Sequence, residues 1–271
     1  MIKIELLNSK KEQKKISFLI KGINSSFANS IRRCAIEEVP TMAMDDIEFR
    51  NNSSALYDEI IAHRLGLMPL TTDLKSYNLP DNCKCGGKGC AQCQLKLILK
   101  TRSQGNVYAS EIKSKDPKVK PVYPNTPIVK LLKGQKLEFE ATATLGRGKD
   151  HAKWCPGLAY YKKMPIIEIK KECENPEAVV EQCPQNLFEI KNNKLSVKKE
   201  EIDKCNLCNA CADICDPKEA ITVENSDNEF IFYVESWGQL EPNEIIDESL
   251  KILAEKSKEF TDEMKKAPEA K

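Results

Sequence analysis

The chain of 271 residues reads as an α+β protein: a discontinuous platform of one sheet and two helices, interrupted by two inserted domains. Three observations carry this reading. Period-two alternation of apolar residues marks the start of the chain and returns at 160–169 and 230–234, so segments distant in sequence are predicted to share a sheet. Helical spacing of apolar residues begins at Phe27 and closes the chain at 242–266. Ten of the twelve cysteines fall in two tight groups, each within a stretch of different texture. The resulting boundaries are 1–40, 158–170 and 224–271 for the platform, 41–157 for a mixed α/β insertion with a cysteine loop at 83–93, and 171–223 for the second insertion.

Taken in order, residues 1–22 read as a hairpin. Ile2, Ile4 and Leu6 alternate, then Ile16, Phe18 and Ile20 alternate after a Lys-rich turn, and each strand is predicted to bury one face. Ser25 or Ser26 can cap a helix whose apolar positions Phe27, Ile31 and Ala35 recur at four-residue steps, and Pro40 closes it. Arg32 and Arg33 on this helix suit either a solvated face or contact with a large partner; a charge pair alone favours the solvated face. From Thr41 the texture changes to short strands and Pro-rich connections such as VYPNTPIV, with a short helix at 55–67. The last element spans 242–266, with Pro242 in a first turn that tolerates its missing donor. Its apolar residues Ile246, Leu250, Leu253, Phe260 and Met264 form a seam of the kind that pairs helix with helix. Packing onto the chain's own sheet accounts for part of that seam, which is long for a small sheet to cover. Residues beyond about 266 read as a charged tail.

Composition narrows the function classes. Hydrophobic residues make up 41% and aromatic residues 6%, which suits two or three modest domains. Lys plus Arg number 42 against 41 for Asp plus Glu, so no global field gathers a polyanion and any nucleic-acid contact is expected to be local and slight. No run approaches the roughly eighteen apolar residues of a membrane span, and a soluble, cytoplasmic protein is expected. Clustered cysteines in such a chain point to metal rather than to a disulfide framework. Cys34 and Cys155, outside the groups, read as small buried hydrophobes.

The first group is Cys83, Cys85, Cys90 and Cys93 in CKCGGKGCAQC. Glycines at 86, 87 and 89 let the backbone turn tightly enough to aim four thiolates at one ion. Closed tetrahedral zinc, structural because no position is left for water, is the favoured occupant; free thiols in a mobile loop are the alternative. The one-residue gap between Cys83 and Cys85 is tighter than iron–sulfur spacing.

The second group is more specific. Cys205, Cys208, Cys211 and Cys215 reproduce the C-x2-C-x2-C-x3-C run of bacterial ferredoxins, and Cys183 with Pro184 reproduces the closing C-P of a preceding run. Because the fourth cysteine of each run ligates the other cluster, Cys183, Cys205, Cys208 and Cys211 are predicted to share one iron–sulfur cluster in a ferredoxin-like domain. Counting back from Cys183 reaches Cys173, Pro176 and Val179, so a second cluster lacks two thiolates. Cys173 and Cys215 are left over, predicted close in space as free thiols or a disulfide. The cluster serves electron traffic or the stability of a domain poor in large apolar residues.

FANSIRRCAIEEVPTMA at 27–43, IAHRLGLMPL at 61–70, the cysteine loop at 83–93 and GRGKDHAKWCPG at 146–157 together resemble, in order along nearly the whole chain, the D-subunit family of archaeal RNA polymerase. They are also similar to the third-largest subunit of eukaryotic polymerase II and, more distantly, to the amino-terminal domain of the bacterial alpha subunit. The resemblance implies a platform that pairs with the small L subunit through the first and last helices, placing Phe27, Ile31, Ile246, Leu250, Leu253 and Phe260 at that interface. It implies assembly with the N subunit and the large catalytic subunits, which hold the magnesium chemistry, so no catalytic residue is expected here. His63 and His151 lie in signature segments and read as structural. Cys155 stands where the family usually has Ser. The incomplete second ligand set places the chain among single-cluster members, with 4Fe-4S favoured over 3Fe-4S.

Two other functions compete. An iron–sulfur electron-transfer subunit of an oxidoreductase needs a flavin or a complete second cluster, and the sequence offers neither. A zinc-dependent nucleic-acid binder needs aromatic residues among Lys84, Lys88 and Lys96, and none interleaves them.

Overall fold

The computed structural model describes residues 1–266, with backbone only at Lys10 and Lys11; the charged tail expected beyond 266 lies outside the described residues. The amino-terminal elements are β1 (Lys3–Lys10), β2 (Lys15–Lys21), α1 (Ser25–Glu37), β3 (Pro40–Asn52) and α2 (Asp58–Gly66). There follow β4 (Gln94–Thr101), β5 (Gly105–Tyr108), β6 (Lys113–Ser114), β7 (Pro127–Leu131), β8 (Leu137–Arg147) and β9 (Gly157–Ile169). The remainder is α3 (Pro176–Gln182), β10 (Phe188–Lys191), β11 (Lys194–Val197), α4 (Ala210–Ile214), β12 (Ile221–Ser236) and α5 (Pro242–Lys266). The mixed α+β class holds, with sheets ordered β1-β2-β12-β9, β3-β8-β4-β6, β5-β7 and β10-β11. Strands from both ends of the chain therefore do join one sheet.

The chain forms two compact units. The first comprises Met1–Ser9, Ser17–Asn29 and Tyr160–Tyr233. Its sheet packs aromatic residues on one another: Phe18 stacks on Phe232 at 5.5 Å, and Tyr161 lies 5.6 Å from Phe230. β2 buries Phe18, Leu19 and Ile20, whereas Ile4 and Leu6 of β1, and Ile2 just before it, are each more than half exposed. The expectation of a buried face on both strands therefore fails for β1. It is the edge of its sheet, and its apolar row stays open. Helix α1 begins with a different cap from the one expected: the Asn24 side chain accepts the Phe27 N–H at 2.8 Å, satisfying an orphan donor as Ser25 or Ser26 had been predicted to do.

The second unit comprises Lys10–Ile16, Ser30–Ala159 and the chain from Val234 onward. Its central strand β8 pairs antiparallel with β3, Pro40 facing Arg147, and with β4, Gln94 facing Thr144. Alternation on β4 buries Leu95, Leu97 and Leu99 against Met42, Met44, Ile61, Leu65 and Phe139. The helix expected at 55–67 is the shorter α2, which buries Ile61 and Leu65.

The signature at 146–157 is close packing rather than chemistry. A Cβ on Gly146 would lie 2.3 Å from the Trp154 ring, whose indole N–H donates to the Thr144 carbonyl at 3.2 Å. Lys153 sits 4.3 Å over the same ring and pairs with Asp45, and His151 Nδ1 accepts the Lys153 N–H at 3.0 Å. At the end of α1, the Cys34 thiol donates to the Ser249 carbonyl of α5 at 3.2 Å. Glu38 receives Lys256 at 2.7 Å and Lys149 at 3.3 Å.

Candidate metal centres and partner surface

The loop at 83–93 leaves a single helical turn, Pro80–Asn82, and runs directly into β4, so both of its ends are anchored. Gly86, Gly87 and Gly89 hold φ of 62, 76 and 85°, a region closed to most side chains. The bend brings all four sulfurs within 4.8 Å of one another, and Cys83 to Cys90 is 3.5 Å, Cys85 to Cys93 3.6 Å, Cys90 to Cys93 3.8 Å. A tetrahedron built on metal–sulfur bonds of about 2.3 Å has edges of about 3.8 Å. The set is therefore the right size for one ion, and it could hold one. The thiols share protons unequally: the hydrogen bond from Cys83 pulls Cys85 down to about 6. Cys83 accepts from the Cys85 amide, yet burial and its thiol neighbours push it up to about 12. An ion would displace those protons.

In the second group Cys183 follows α3, Cys205 follows the 3-10 helix Lys199–Lys204, and Cys211 lies in α4. Cys183, Cys205 and Cys211 are buried and Cys208 is exposed. Burial pushes the Cys211 thiol up to about 11, and the charges of Cys183 and Cys205 add to it, which puts these three in one neighbourhood. Among the described residues, only the first loop brings its sulfurs close enough for a single ion. The backbone N–H of Leu207 donates to Cys205 Sγ at 3.4 Å; hydrogen bonds to the sulfurs are part of how proteins tune such clusters. The leftover Cys173 and Cys215 are buried, unbridged and near one another. Burial first, then Cys173, raises Cys215 to about 12.

Two organising residues escaped the sequence reading. Asn175 accepts from the Cys173 thiol at 3.2 Å and from the Asp216 amide at 2.9 Å, and donates to the Ile214 carbonyl at 2.8 Å. Lys162 donates from β9 to the Cys205 carbonyl at 2.9 Å. Asn175 lies two residues from a group cysteine, which is a faint signal; nothing in the sequence links Lys162 to a turn 43 residues away.

Helix α5 buries Pro242, Ile245 and Ser249 along one side. Of its other apolar residues, Ile246 and Leu253 are half-buried, while Leu250, Phe260 and Met264 are 37%, 68% and 60% exposed, so the apolar stripe is covered near the start of the helix and opens toward its carboxy-terminal end. On α1, Phe27 is exposed and Ile31 is 3% exposed, so Ile31 packs within its own chain and is not part of the open stripe. Arg33 forms an ion pair with Glu37 at 3.0 Å in solvent, and Lys96 is occupied by Glu140.

Residues 46–155, which hold the inserted sheet and its four-cysteine loop, fit the family model for the RNA polymerase Rpb3/RpoA insert domain, so the chain carries the insert domain of that class of RNA polymerase subunit. It is 39% identical over 255 residues to the DNA-directed RNA polymerase subunit Rpo3 of Methanosphaera stadtmanae, covering 91% of this chain and 93% of the relative. It is 40% identical over 277 residues to that of Pyrococcus furiosus, with 98% of each chain covered, and 39% identical over 261 residues to that of Archaeoglobus fulgidus, with 96% and 97% covered. The chain belongs to the Rpo3 family of DNA-directed RNA polymerase subunits. Membership of that family leaves the electron-transfer alternative without support. Among the described residues no helix is long and apolar enough to cross a membrane.

Proposed function

We propose that the chain is a non-catalytic assembly subunit of DNA-directed RNA polymerase that pairs with the small L subunit through α1 and α5. The pair then gathers the N subunit and the large catalytic subunits, where the nucleotidyl transfer takes place. The open stripe on α5 carries this reading. The helix buries Pro242, Ile245 and Ser249 against its own chain, and its apolar stripe continues uncovered through Leu250, Phe260 and Met264. An apolar line of that kind suits a partner helix. The chain divides in function as 1–40, 158–170 and 224–271 for pairing, 41–157 for the insert, and 171–223 for a ferredoxin-like domain, and it works in the cytoplasm.

Zinc held by Cys83, Cys85, Cys90 and Cys93 is structural, since four thiolates close its coordination. Cys183, Cys205, Cys208 and Cys211 hold one iron–sulfur cluster, 4Fe-4S in preference to 3Fe-4S, and Cys173 and Cys215 form a free pair or a disulfide beside it. Co-expression with an archaeal L subunit tests the pairing: the two should co-purify as a stable heterodimer, and Leu250→Asp with Leu253→Asp should reduce recovery of the pair at least tenfold while the brown colour stays. Unchanged recovery from the double variant would remove α5 from the interface.

A further inference from the structure

Lys162 lies on β9 on the same face as Tyr160, because side chains two apart on a strand share a face. Tyr160 stacks on Tyr233 at 4.9 Å with an interplanar angle of 13°, and the Lys162 ammonium is 5.9 Å from the Tyr233 ring. The stem of the lysine is thus half-buried beside a rigid aromatic pair, and its head extends from the sheet to the cysteine turn. There it donates to the Cys205 carbonyl at 2.9 Å. The turn it meets is conformationally demanding. Leu207 and Asn209 have φ of 58 and 60°, a region side chains rarely occupy, and the Leu207 amide points at Cys205 Sγ. A turn of this kind persists only where its surroundings hold it. Among the described residues, the side chain reaching it from the sheet with a hydrogen bond to Cys205 is this lysine.

We infer that Lys162 is a positioning residue for the iron–sulfur centre: it ties the Cys205 turn to the sheet in ligating register and sets a positive charge beside the cluster's Cys205 thiolate. The inference rests on the reading of Cys183, Cys205, Cys208 and Cys211 as cluster ligands. A cluster gains one negative charge when it takes an electron, so a fixed cation nearby favours the reduced form. The register and the charge make separate predictions.

The test uses the full-length chain, wild type against Lys162→Met, Lys162→Gln and Lys162→Arg, reconstituted anaerobically with iron and sulfide. Iron and sulfide content of the wild type decides the ligand reading by itself; their absence overturns that reading and the electrostatic half of the inference with it. In loaded protein titrated with dithionite and followed by spin resonance, Lys162→Met and Lys162→Gln should lower the equilibrium constant for one-electron reduction about tenfold, or about 59 mV, and Lys162→Arg should leave it near wild type. In metal-free protein, iodoacetamide should label Cys205 about tenfold faster in Lys162→Met. Lys162→Gln, which keeps a donor for the carbonyl, should label more slowly than Lys162→Met, and it stands in for the potential measurement should Lys162→Met not fold. Wild-type potential and wild-type labelling in Lys162→Met, or in Lys162→Gln where that variant stands in, overturn the inference.

Discussion

Glu38 shows how a single residue can join three segments of the second unit. Its side chain is 14% exposed, and Lys256 of α5, Lys149 and, more distantly, Arg147 converge on it. Burial alone would raise its pKa, but the hydrogen bonds and charges of Lys256 and Lys149 outweigh burial and hold it below the ordinary value of 4.5. A carboxyl depressed in the folded state contributes stability above its unfolded pKa and loses it as pH falls through the folded value. Glu38→Gln should therefore cost about 1–2 kcal/mol at pH 7, the range of charge-assisted hydrogen bonds to partly exposed lysines. In urea melts the gap from wild type should close as pH falls below the ordinary carboxylate value of 4.5 and through the depressed folded one. A gap independent of pH between 7 and 3 would show that the cost comes from packing. None of this was legible in the sequence, because the partners of Glu38 lie more than a hundred residues away in the chain.

At the scale of elements, legibility tracked how local the cause is. Helix α5 was read to its boundaries because period and the proline signal both lie within it. How far along the helix its apolar stripe is covered was not legible, since spacing alone does not tell where the chain's own packing ends. The cysteine loop was likewise readable, as glycine conformation and sulfur spacing are set within eleven residues. β1 was misread because alternation reports an amphipathic strand, and whether its apolar side is covered depends on a second layer that the pattern does not contain. The loop carries its own prediction. With four thiolates closing one site, Cys85→Ser should lower bound zinc from about one equivalent to near none, measured by mass spectrometry of metals in the purified full chain. Amides at 83–93 should then exchange faster, while those of β4 and β8 stay protected by the Leu97, Leu99 and Phe139 core. Retention of the zinc would mean that three thiolates suffice.

Over the whole molecule, the cores differ in what they can supply. That of the second unit is aliphatic and aromatic throughout, with Phe139, Met42, Met44, Ile61, Leu65 and Leu70 fully enclosed. The core around the second cysteine group has ten buried residues, of which five, Cys173, Cys183, Cys205, Cys211 and Cys215, are cysteines, against only Val179, Leu187, Phe188, Ala220 and Ile221. Thiols bury little apolar surface each, and a domain this small holds few kcal/mol in reserve. A cluster held by those sulfurs, as proposed, would therefore contribute folding free energy to the domain, because the binding geometry exists only when it is folded. Cys205→Ser with Cys211→Ser should bleach the brown colour and leave residues 171–223 exchanging at rates near those of an unfolded chain, while β3, β4 and β8 retain their protection. Hydrogen exchange resolved by mass spectrometry separates these outcomes. If the bleached variant keeps full protection at α3, β10 and β11, the polypeptide folds this module unaided, and the cluster belongs to electron traffic or sensing instead of to structure.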